Sequence, residues 1–477
     1  MAFLIPHGAG RVVGALTMVA TPAELQYSAH TVARTGDVFE PGPGLSVVGA
    51  TITASRLRVR HPPAELENYP TNRYRSFGRR EQEVTAMFRI AGLFAGIGGI
   101  EQGFARAYGD ALDTVLLCES WDPATAVLRT RFPHAKLHPD VRELRSLPAR
   151  LDVLTAGFPC TDLSQAGRTA GIGGSASGLV SHVFEALRLT ARRRKLPALL
   201  IENVPNMLVL DKGRAMHYLI QEIESLGYRW AYRTVDSRFT GVPQRRRRVI
   251  LLASTEFDPR TVLFADDAGV RGPDELADNV FGFYWTEGRG GLGWAVDAVP
   301  TLKGGSTIGI PSPPGIWLPK ARRGRRFLKP GIADAEQLQG FPRDWTDVFA
   351  DGQRRNGPRW KLVGNAVTVG VSQWVAERIA APGDPVTEEE VWDRVGRWPT
   401  AAWGSDGKIL RVAVSEFPRH APHRHLLDIV DPASAESLSH RALAGFRGRL
   451  QRGNLGRHPG FREQLDDELT FLQKRIG

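Results

Sequence analysis

Short apolar runs and amphipathic segments alternate along the middle of the chain, beginning at Phe88. Most apolar runs end in a polar or glycine-containing turn, and the amphipathic segments have the period of a helix. The predicted strands are 88–94, 115–118, 151–155, 198–201, 230–235 and 249–253, and the predicted helices are 100–108, 123–132, 179–190 and 214–226. Strands that alternate with helices of this length predict an α/β fold, in which a mostly parallel sheet is covered on both faces.

The pattern changes on both sides of this region. Five segments are predicted: an N-terminal extension at 1–86, the α/β domain at 87–254, an irregular lobe rich in Gly, Pro and Trp at 255–325, a return to the α/β domain at 326–380, and a C-terminal extension at 381–477. The N-terminal extension shows no sustained period, and Met87 directly precedes the first strong strand. An amphipathic helix is predicted near Gln464 to Lys474.

The composition narrows the class of protein. A chain of 477 residues predicts two or three domains, and 51 Gly with 32 Pro indicate many loops without reaching low complexity. The net charge of +11 and a pI near 9.9 favour a nucleic-acid-binding protein. Two cysteines, Cys118 and Cys160, cannot form a disulfide framework and favour a reducing compartment. No apolar run is long enough to span a bilayer.

A glycine-rich turn at 94–99 follows the first predicted strand. Such a turn lets the backbone approach a ligand closely, although it also occurs without any ligand. Glu101 stands where a dinucleotide fingerprint needs its third glycine, which disfavours a nicotinamide cofactor. Glu119, at the end of the second strand, suits ribose hydroxyls, Trp121 suits an adenine face, and 140–141 suit the adenine amino group. Together they indicate an adenosine-containing cofactor without phosphates.

A cysteine follows a proline at the end of the third predicted strand, in 157–160. An isolated free cysteine is usually a buried apolar residue, and Cys118, inside a strand, is interpreted that way. Cys160 instead begins the polar loop 161–174 at the ligand end of the sheet. Neighbouring arginines would favour its thiolate, so Cys160 is a candidate nucleophile.

Two further motifs end the fourth strand and begin the sixth. Glu202, in 202–204, either caps the following structure or donates a proton, which burial and a substrate nitrogen would favour. The arginine run at 245–248 is either a solvated face or a binding site. Side chains alternate in a strand, so Arg246 and Arg248 are expected to point together into the crevice, where paired guanidiniums suit a carbonyl oxygen, a phosphate or a thiolate.

These motifs resemble those of the DNA (cytosine-5)-methyltransferases. Seven of them occur in the family's order over about 88–380: 94–99, 119–122, 159–160, 202–204, 244–248, 338–342 and 364–367. Thr161 stands where the family often has Gln, and Asp334 where Glu is usual. The resemblance implies a Rossmann-like methyltransferase sheet, with a smaller irregular target-recognition lobe at 255–325 and terminal extensions. That lobe is expected to be short, with the basic stretch 320–326 gripping phosphates.

The resemblance also implies the chemistry. The expected activity is transfer of a methyl group from S-adenosylmethionine to carbon 5 of a cytosine that is flipped out of double-stranded DNA. Cys160 would be the nucleophile and Glu202 the proton donor; Arg248 would bind the exocyclic oxygen, and Arg246 the thiolate or a phosphate. The expected cofactor-binding residues are Phe94, Gly96, Ile97, Gly98, Glu119, Trp121, Asp140, Val141, Pro159, Leu179, Asn365 and Ala366. The base that removes the carbon-5 proton is left open, with water as one candidate.

Partners and alternatives follow from the same resemblance. No metal is expected at the site, and a cytoplasmic monomer, either an orphan methylase or one with a cognate restriction endonuclease, is the favoured setting. A branch of the family modifies tRNA, which keeps tRNA as the alternative substrate. A non-catalytic DNA-binding protein on the same scaffold is disfavoured, because Cys160 and Glu202 are both present.

Overall fold

A computed structural model of the chain describes residues 2–6, 13–20, 25–32, 87–159, 178–286, 291–305, 311–349, 356–386, 388–394 and 397–476. The chain divides into two compact units, Met1–Glu81 and Gln82–Gly477. The first unit contains three antiparallel strands in the order β1 (Ala2–Pro6), β2 (Val13–Ala20) and β3 (Leu25–Val32). The sequence pattern had not predicted these strands. Among the described helices, none has the length and apolar character that a membrane span requires.

The second unit contains the remaining secondary structure. Its strands are β4 (Phe88–Leu93), β5 (Leu112–Cys118), β6 (Lys136–His138), β7 (Val153–Ala156), β8 (Ala198–Asn203), β9 (Arg229–Asp236), β10 (Gln244–Arg245), β11 (Arg247–Ser254), β12 (Phe281–Phe283), β13 (Ala295–Val296), β14 (Val299–Pro300), β15 (Gly315–Trp317), β16 (Phe327–Lys329), β17 (Glu389–Val391), β18 (Ala401–Ser405), β19 (Lys408–Val412) and β20 (Glu436–Ser437). Its α-helices are α1 (Gly99–Tyr108), α2 (Asp122–Arg131), α3 (Leu179–Ala191), α4 (Arg214–Ser225), α5 (Arg260–Leu263), α6 (Ile332–Leu338), α7 (Asn356–Asn365), α8 (Val369–Ala380), α9 (His440–Gly453) and α10 (Phe461–Ile476).

The large sheet has ten strands in the order β17-β19-β18-β9-β11-β8-β7-β4-β5-β6. The five strands from β8 to β6 are parallel, which confirms the predicted alternation of strands and helices. β11 pairs antiparallel with both β8 and β9, and β17–β19 of the C-terminal segment extend this antiparallel half. The segment after 380 is therefore part of the central sheet.

Alternate residues of the parallel strands enter separate cores on the two faces of the sheet, as the period of a strand requires. Leu154 and Ile201 face the core that packs α3 and α4, whereas Val153 and Leu200 face the core that packs α1 and α8. The strands are buried on both faces, which explains their continuous apolar runs in the sequence.

A smaller antiparallel sheet forms the second lobe, in the order β13-β12-β15-β16-β20. Its last strand comes from the C-terminal segment, and α9 and α10 of that segment pack on Phe283, Trp317 and Phe327 around the buried Phe461. The lobe that was expected at 255–325 therefore packs with elements outside those bounds. Residues more than 100 positions further along the chain complete the lobe.

Three arginines of the basic stretch 320–326 are engaged by this segment. Arg323 and Arg326 both pair with Asp467 of α10, at 2.7 and 2.6 Å. Arg325 donates to the carbonyl of Ala435 at 2.8 Å and to neighbouring carbonyls. The expectation that the whole stretch grips phosphates is corrected, since three of its arginines hold the C-terminal segment in place.

A buried carboxylate of the second lobe, Asp297, binds the segment 423–426 of the C-terminal chain. Asp297, fully buried, accepts hydrogen bonds from the backbone N–H groups of Ala277 and Leu426, at 3.0 and 2.9 Å. The rings of His423 and His425 lie 2.9 and 2.6 Å from the same carboxylate. Burial raises the pKa of Asp297, but these hydrogen bonds outweigh it and lower that pKa below the ordinary value. Asp297 thus fixes residues 423–426 against the lobe.

We expect Phe461→Ala to destabilise the second unit by about 3–5 kcal/mol, because it leaves a cavity among aromatic rings that are themselves buried. Chemical denaturation followed by tryptophan fluorescence measures the change. Val391→Ala is the control, since this side chain is 76% exposed and its truncation should change stability little. Equal stability of Phe461→Ala and the wild type would show that α10 is no part of the lobe's core.

Candidate active site

The glycine-rich turn between β4 and α1 depends on backbone conformations that favour glycine. Phe94, Gly96 and Gly98 have φ values of 56°, 57° and 78°. A Cβ on Gly98 would lie 2.2 Å from the ring of Phe132, so only glycine fits there. A Cβ on Gly96 would meet no atom within 4 Å, which leaves that part of the turn open to a ligand.

Two carboxylates border the turn. Glu119 follows β5 and accepts hydrogen bonds from the backbone N–H groups of Gly96 and Trp121, each at 2.9 Å. Asp140 follows β6 and is ion-paired with Arg142. Hydrogen bonds from the Arg142 side chain and backbone are the largest cause of the lowered pKa of Asp140, so it is ionised at neutral pH. Glu119 therefore fixes the conformation of the glycine-rich turn, and it also lines a neighbouring cavity.

A cavity of about 240 Å³ lies between these elements. It is lined by Phe94, Cys118, Glu119, Ser120, Pro139, Asp140, Val141, Arg142 and Leu179. Five of the expected cofactor residues therefore meet at one cavity. Cys118 is buried, as predicted, and burial raises the pKa of its thiol to about 12.

The other expected cofactor residues lie around the cavity without lining it. The side chains of Ile97 and Ala366 are buried in a hydrophobic cluster, where they support the turn by packing. Trp121 is partly buried against that cluster, with the Lys361 ammonium 4.6 Å from its ring, while Asn365 is exposed. Gly96 and Gly98 contribute backbone. Pro159 is exposed beside the crevice.

The residues of this cavity fit S-adenosylmethionine. The carboxylates of Glu119 and Asp140 suit hydroxyl and amino groups of a nucleoside and the positive charge of a sulfonium. Arg142, the cation that lines the cavity, is already paired with Asp140 and is a poor anchor for a phosphate. An adenosine cofactor without phosphates matches this donor set.

Cys160 and the loop 161–174 lie outside the described residues, and the structure describes the chain up to Pro159. Phe158 is buried, and its carbonyl accepts a hydrogen bond from the Asn203 side chain at 2.9 Å. Asn203 also accepts from the Val204 backbone at 2.8 Å. The end of β8 therefore fixes the segment that immediately precedes Pro159.

Glu202 and Arg248 form an ion pair at the carboxyl end of β8. Arg248 Nε lies 2.8 Å from Glu202 Oε1, and both side chains are mostly buried. The register explains the pairing: Glu202 lies opposite Ile250 of β11, and Arg248 stands two residues from Ile250 on the same face. The sequence pattern predicts that Arg248 lies beside Arg246; in the structure its partner is Glu202.

Arg246 lies deeper than expected. Its guanidinium is fully buried and donates to three backbone carbonyls: Leu302 and Gly364, both at 3.2 Å, and Ala366 at 2.7 Å. Burial is the largest cause of its lowered pKa, although Glu202 acts in the opposite direction. The expectation that Arg246 opens onto the crevice beside Arg248 is corrected, because its donors are directed at the protein's own carbonyls.

Gln244 extends this buried network. Its side-chain amide donates to the Leu338 carbonyl at 2.9 Å and to the Gln339 side chain at 3.0 Å, and it accepts from the Leu302 backbone at 2.9 Å. The Gln339 side chain in turn accepts from Thr368 at 2.7 Å. The motifs at 244–248, 338–342 and 364–367 therefore meet in one buried polar cluster.

A wide crevice of about 720 Å³ adjoins the Glu202–Arg248 pair. It is lined by Pro205, Asp236, Arg238, Arg245, Arg247, Arg248, Thr301 and Glu416. Arg247 pairs with Glu416, and Arg238 pairs with Asp236 at 2.8 Å. Four arginines against two acids among the lining residues leave the crevice with a net positive charge.

Glu101 is a buried acid whose structural role sequence reasoning missed. It lies in the first turn of α1 and is 1% exposed, and it accepts a hydrogen bond from the Thr155 hydroxyl of β7 at 3.1 Å. Burial raises its pKa to about 7. An acid between Ile100 and Phe104, on the apolar side of a short helix, was the available signal.

The fold and the site together indicate a methyltransferase built on a doubly wound α/β sheet. The model of the C-5 cytosine-specific DNA methylases matches residues 88–262. The chain is 44% identical over 371 residues to Type II methyltransferase M2.BsuMI of Bacillus subtilis (strain 168), over 76% of this chain and 93% of that protein. It is 27% identical over 321 residues to Type II methyltransferase M.MspI of Moraxella sp, over 63% and 72% of the two chains. The protein belongs to the C-5 cytosine-specific DNA methylase family, which confirms the resemblance.

We expect Glu101→Gln to change the pH dependence of stability. A carboxyl whose pKa is about 7 in the folded state and near 4.5 in the unfolded state loses stability as pH rises through that interval. Glutamine has no charge to bury, so Glu101→Gln should be more stable than the wild type by up to about 3 kcal/mol at pH 8 and close to it at pH 4.5.

Urea denaturation at pH 4.5, 6 and 8 measures the difference. Glu390→Gln, an exposed partner of Arg411 on β17, is the control, and its difference from the wild type should be small at all three values. A stability difference for Glu101→Gln that is the same at pH 4.5 and 8 would contradict the assignment of a buried, proton-binding carboxyl.

Proposed function

We propose that the protein transfers a methyl group from S-adenosylmethionine to carbon 5 of a cytosine flipped out of a specific double-stranded DNA sequence. The observation that carries the proposal is the Glu202–Arg248 ion pair, held beside the chain that leads into Pro159 and Cys160. A carboxyl and a guanidinium at this spacing suit the ring nitrogen and the exocyclic oxygen of one cytosine.

The cysteine performs the covalent step in this proposal. The Cys160 thiolate adds to carbon 6 of cytosine, which converts the ring into an enamine whose carbon 5 is nucleophilic. S-adenosylmethionine, which the cavity beside Glu119 would hold, would supply the methyl group as an electrophile and leave as S-adenosylhomocysteine when its sulfur–methyl bond breaks. A base then removes the carbon-5 proton, and the bond between carbon 6 and the Cys160 sulfur breaks to release methylated DNA.

Glu202 and Arg248 stabilise the charge that develops on the ring. Protonated Glu202 donates to ring nitrogen 3, and Arg248 binds the exocyclic oxygen. Arg248 is engaged with Glu202 before substrate enters. Arg246 is a positioning residue, since its donors hold Leu302 and Ala366.

DNA is the proposed partner on both physical and comparative grounds. Carbon 6 is inaccessible inside a stacked duplex, so the base must leave the helix at a cost of a few kcal/mol. The arginine-lined crevice and the basic pI suit the DNA backbone. Relatives named Type II methyltransferases favour a role in a restriction-modification system. We propose a cytoplasmic monomer that works with a separate cognate endonuclease.

We expect the purified protein to incorporate labelled methyl groups from S-adenosylmethionine into unmethylated genomic DNA, and mass spectrometry of the nucleosides to show 5-methylcytosine. Cys160→Ser should abolish turnover, because a hydroxyl is a far poorer nucleophile at neutral pH, while cofactor binding measured by calorimetry persists. DNA that contains 5-fluorocytosine should form a covalent adduct with the wild type and none with Cys160→Ser. Turnover by Cys160→Ser would refute the nucleophile, and label in tRNA instead of DNA would refute the substrate.

We expect Arg248→Ala to lower the single-turnover methylation rate by on the order of 10²-fold or more, because the exocyclic oxygen loses its donor and Glu202 its partner. Rapid-quench kinetics with saturating DNA measures the rate. Arg411→Ala removes an exposed ion pair with Glu390 at the sheet edge and should leave the rate unchanged. A rate for Arg248→Ala within threefold of the wild type would exclude its role.

A further inference from the structure

Helix α9 carries four arginines and no acidic residue. One side of the helix is buried: Leu443, Phe446 and Leu450 pack in the core of the second lobe. The opposite side exposes Arg441 and Arg452, which stand three turns apart. This exposed side, Arg441, Gly445, Gly448 and Arg452, is called here the arginine–glycine strip.

The arginines of this strip lack internal compensation. Arg447, nearby on the same helix, pairs with Asp466, and Arg449 donates to the Trp285 carbonyl. Arg441 and Arg452 have neither a hydrogen-bond nor an ion-pair partner within the described part of the chain. Arg452 also lies close enough to Arg449 to add to the effect of burial in lowering the pKa of Arg449. Like charges gathered without acids favour an external anion.

The glycines of the strip are not required by packing inside the protein. A Cβ on Gly445 would come no closer than 3.5 Å to the Arg449 guanidinium, and one on Gly448 would meet the Arg452 guanidinium at 3.5 Å. Glycine inside a helix nevertheless lowers the stability of that helix relative to alanine. Its effect at these positions is a flat surface between two arginines, which allows a rigid polyanion to approach the helix closely.

Contacts within the lobe connect helix α9, through Arg449, to the arginine-lined crevice. Arg449 holds the carbonyl of Trp285, and the neighbouring Tyr284 hydroxyl donates to the Thr301 carbonyl at 2.9 Å. Thr301 lines the arginine crevice, and its hydroxyl donates to the Arg245 carbonyl at 2.8 Å. A short series of direct contacts therefore runs from the crevice to α9.

We propose that the arginine–glycine strip of α9 binds the phosphate backbone of duplex DNA beside the target cytosine. The inference rests on the proposed function and adds a DNA-binding surface from the C-terminal segment, outside the seven motifs. From Arg441 to Arg452 the helix rises about 16 Å, which matches the rise of about five base pairs. The strip can thus contact phosphates along one side of the duplex while Glu202 and Arg248 bind the flipped base.

The test measures binding of the full chain to a 40-base-pair duplex by fluorescence anisotropy, at several salt concentrations. Removing two phosphate contacts with Arg441→Ala and Arg452→Ala together should lower the slope of log K against log salt by about 1.8 and weaken binding about tenfold or more at low salt. The matched control, Arg447→Ala with Asp466→Ala, removes a neutral pair from the same helix and should leave slope and affinity unchanged.

A second variant separates binding from folding. Gly445→Glu with Gly448→Glu replaces glycine by a better helix former and adds acids beside Arg449 and Arg452, so the melting temperature should stay equal or rise by a few degrees. DNA binding should fall more than tenfold, because the strip becomes negative. Wild-type affinity and salt slope in both the arginine and the glutamate variants would overturn the inference.

The outcome is independent of the catalytic proposal. If the wild type methylates DNA while both variants bind duplex normally, the strip is not a DNA surface and the proposed function stands. If the wild type methylates no DNA, the proposed function fails. Loss of affinity for single-stranded RNA or tRNA alone, with duplex binding intact, would also overturn the inference, because the partner would then be RNA.

Discussion

The active site depends on one buried guanidinium. Arg246 is fully enclosed, and a buried charge is tolerated only when it is hydrogen-bonded. Its donors meet the carbonyls of Gly364 and Ala366 at the end of α7, which the helix itself leaves without partners, and the carbonyl of Leu302 on the chain that returns from the second lobe. Each of these hydrogen bonds satisfies part of the buried charge, so Arg246 holds the end of α7 and the chain at Leu302 together.

The fixed position of Arg246 also fixes the backbone that leads to Arg248. Arg248 stands two residues after Arg246, at the start of β11, and its position relative to Glu202 is set by the register of β11 on β8. A catalytic donor is effective only when it is oriented before the reaction begins. The motif that contains both arginines thus divides the work. Gln244 and Arg246 bind backbone in the interior, and Arg248 forms the ion pair with Glu202 at the end of β8.

The sequence predicts those features that local patterns determine. Leu199–Ile201 and Val249–Ala253 are continuous apolar runs because their strands are buried on both faces, and the structure confirms both strands. The glycine turn is equally local, since Gly98 has no room for a side chain. Strand alternation alone does not predict the Glu202–Arg248 pair, because that pair also depends on the register of β11 against β8.

Long-range partners account for the features that the sequence does not predict. The carbonyls that bind Arg246 lie 56 to 120 residues away, so an arginine run gives no sign of which member is buried. Arg323 and Arg326 resemble free phosphate anchors until Asp467, more than 140 residues later, is seen beside them. β20 is two residues long and has no pattern of its own; it exists because β16 offers an edge.

The closure of the second lobe by the C-terminal segment has a mechanical reason. The second lobe begins after β11. Its base is held by the hydrogen bonds that Arg246 donates to Leu302 and that Gln244 donates to Leu338. Its other side would be an open sheet edge at β16, which is a site for unwanted pairing. β20 covers that edge by pairing with β16. Asp297 binds Leu426, His423 and His425, so the C-terminal segment contacts the lobe at a second place. In the proposed function, a duplex bound by such a lobe would be held in a fixed orientation to Arg248, and the energy of DNA binding could then be used to extrude the base.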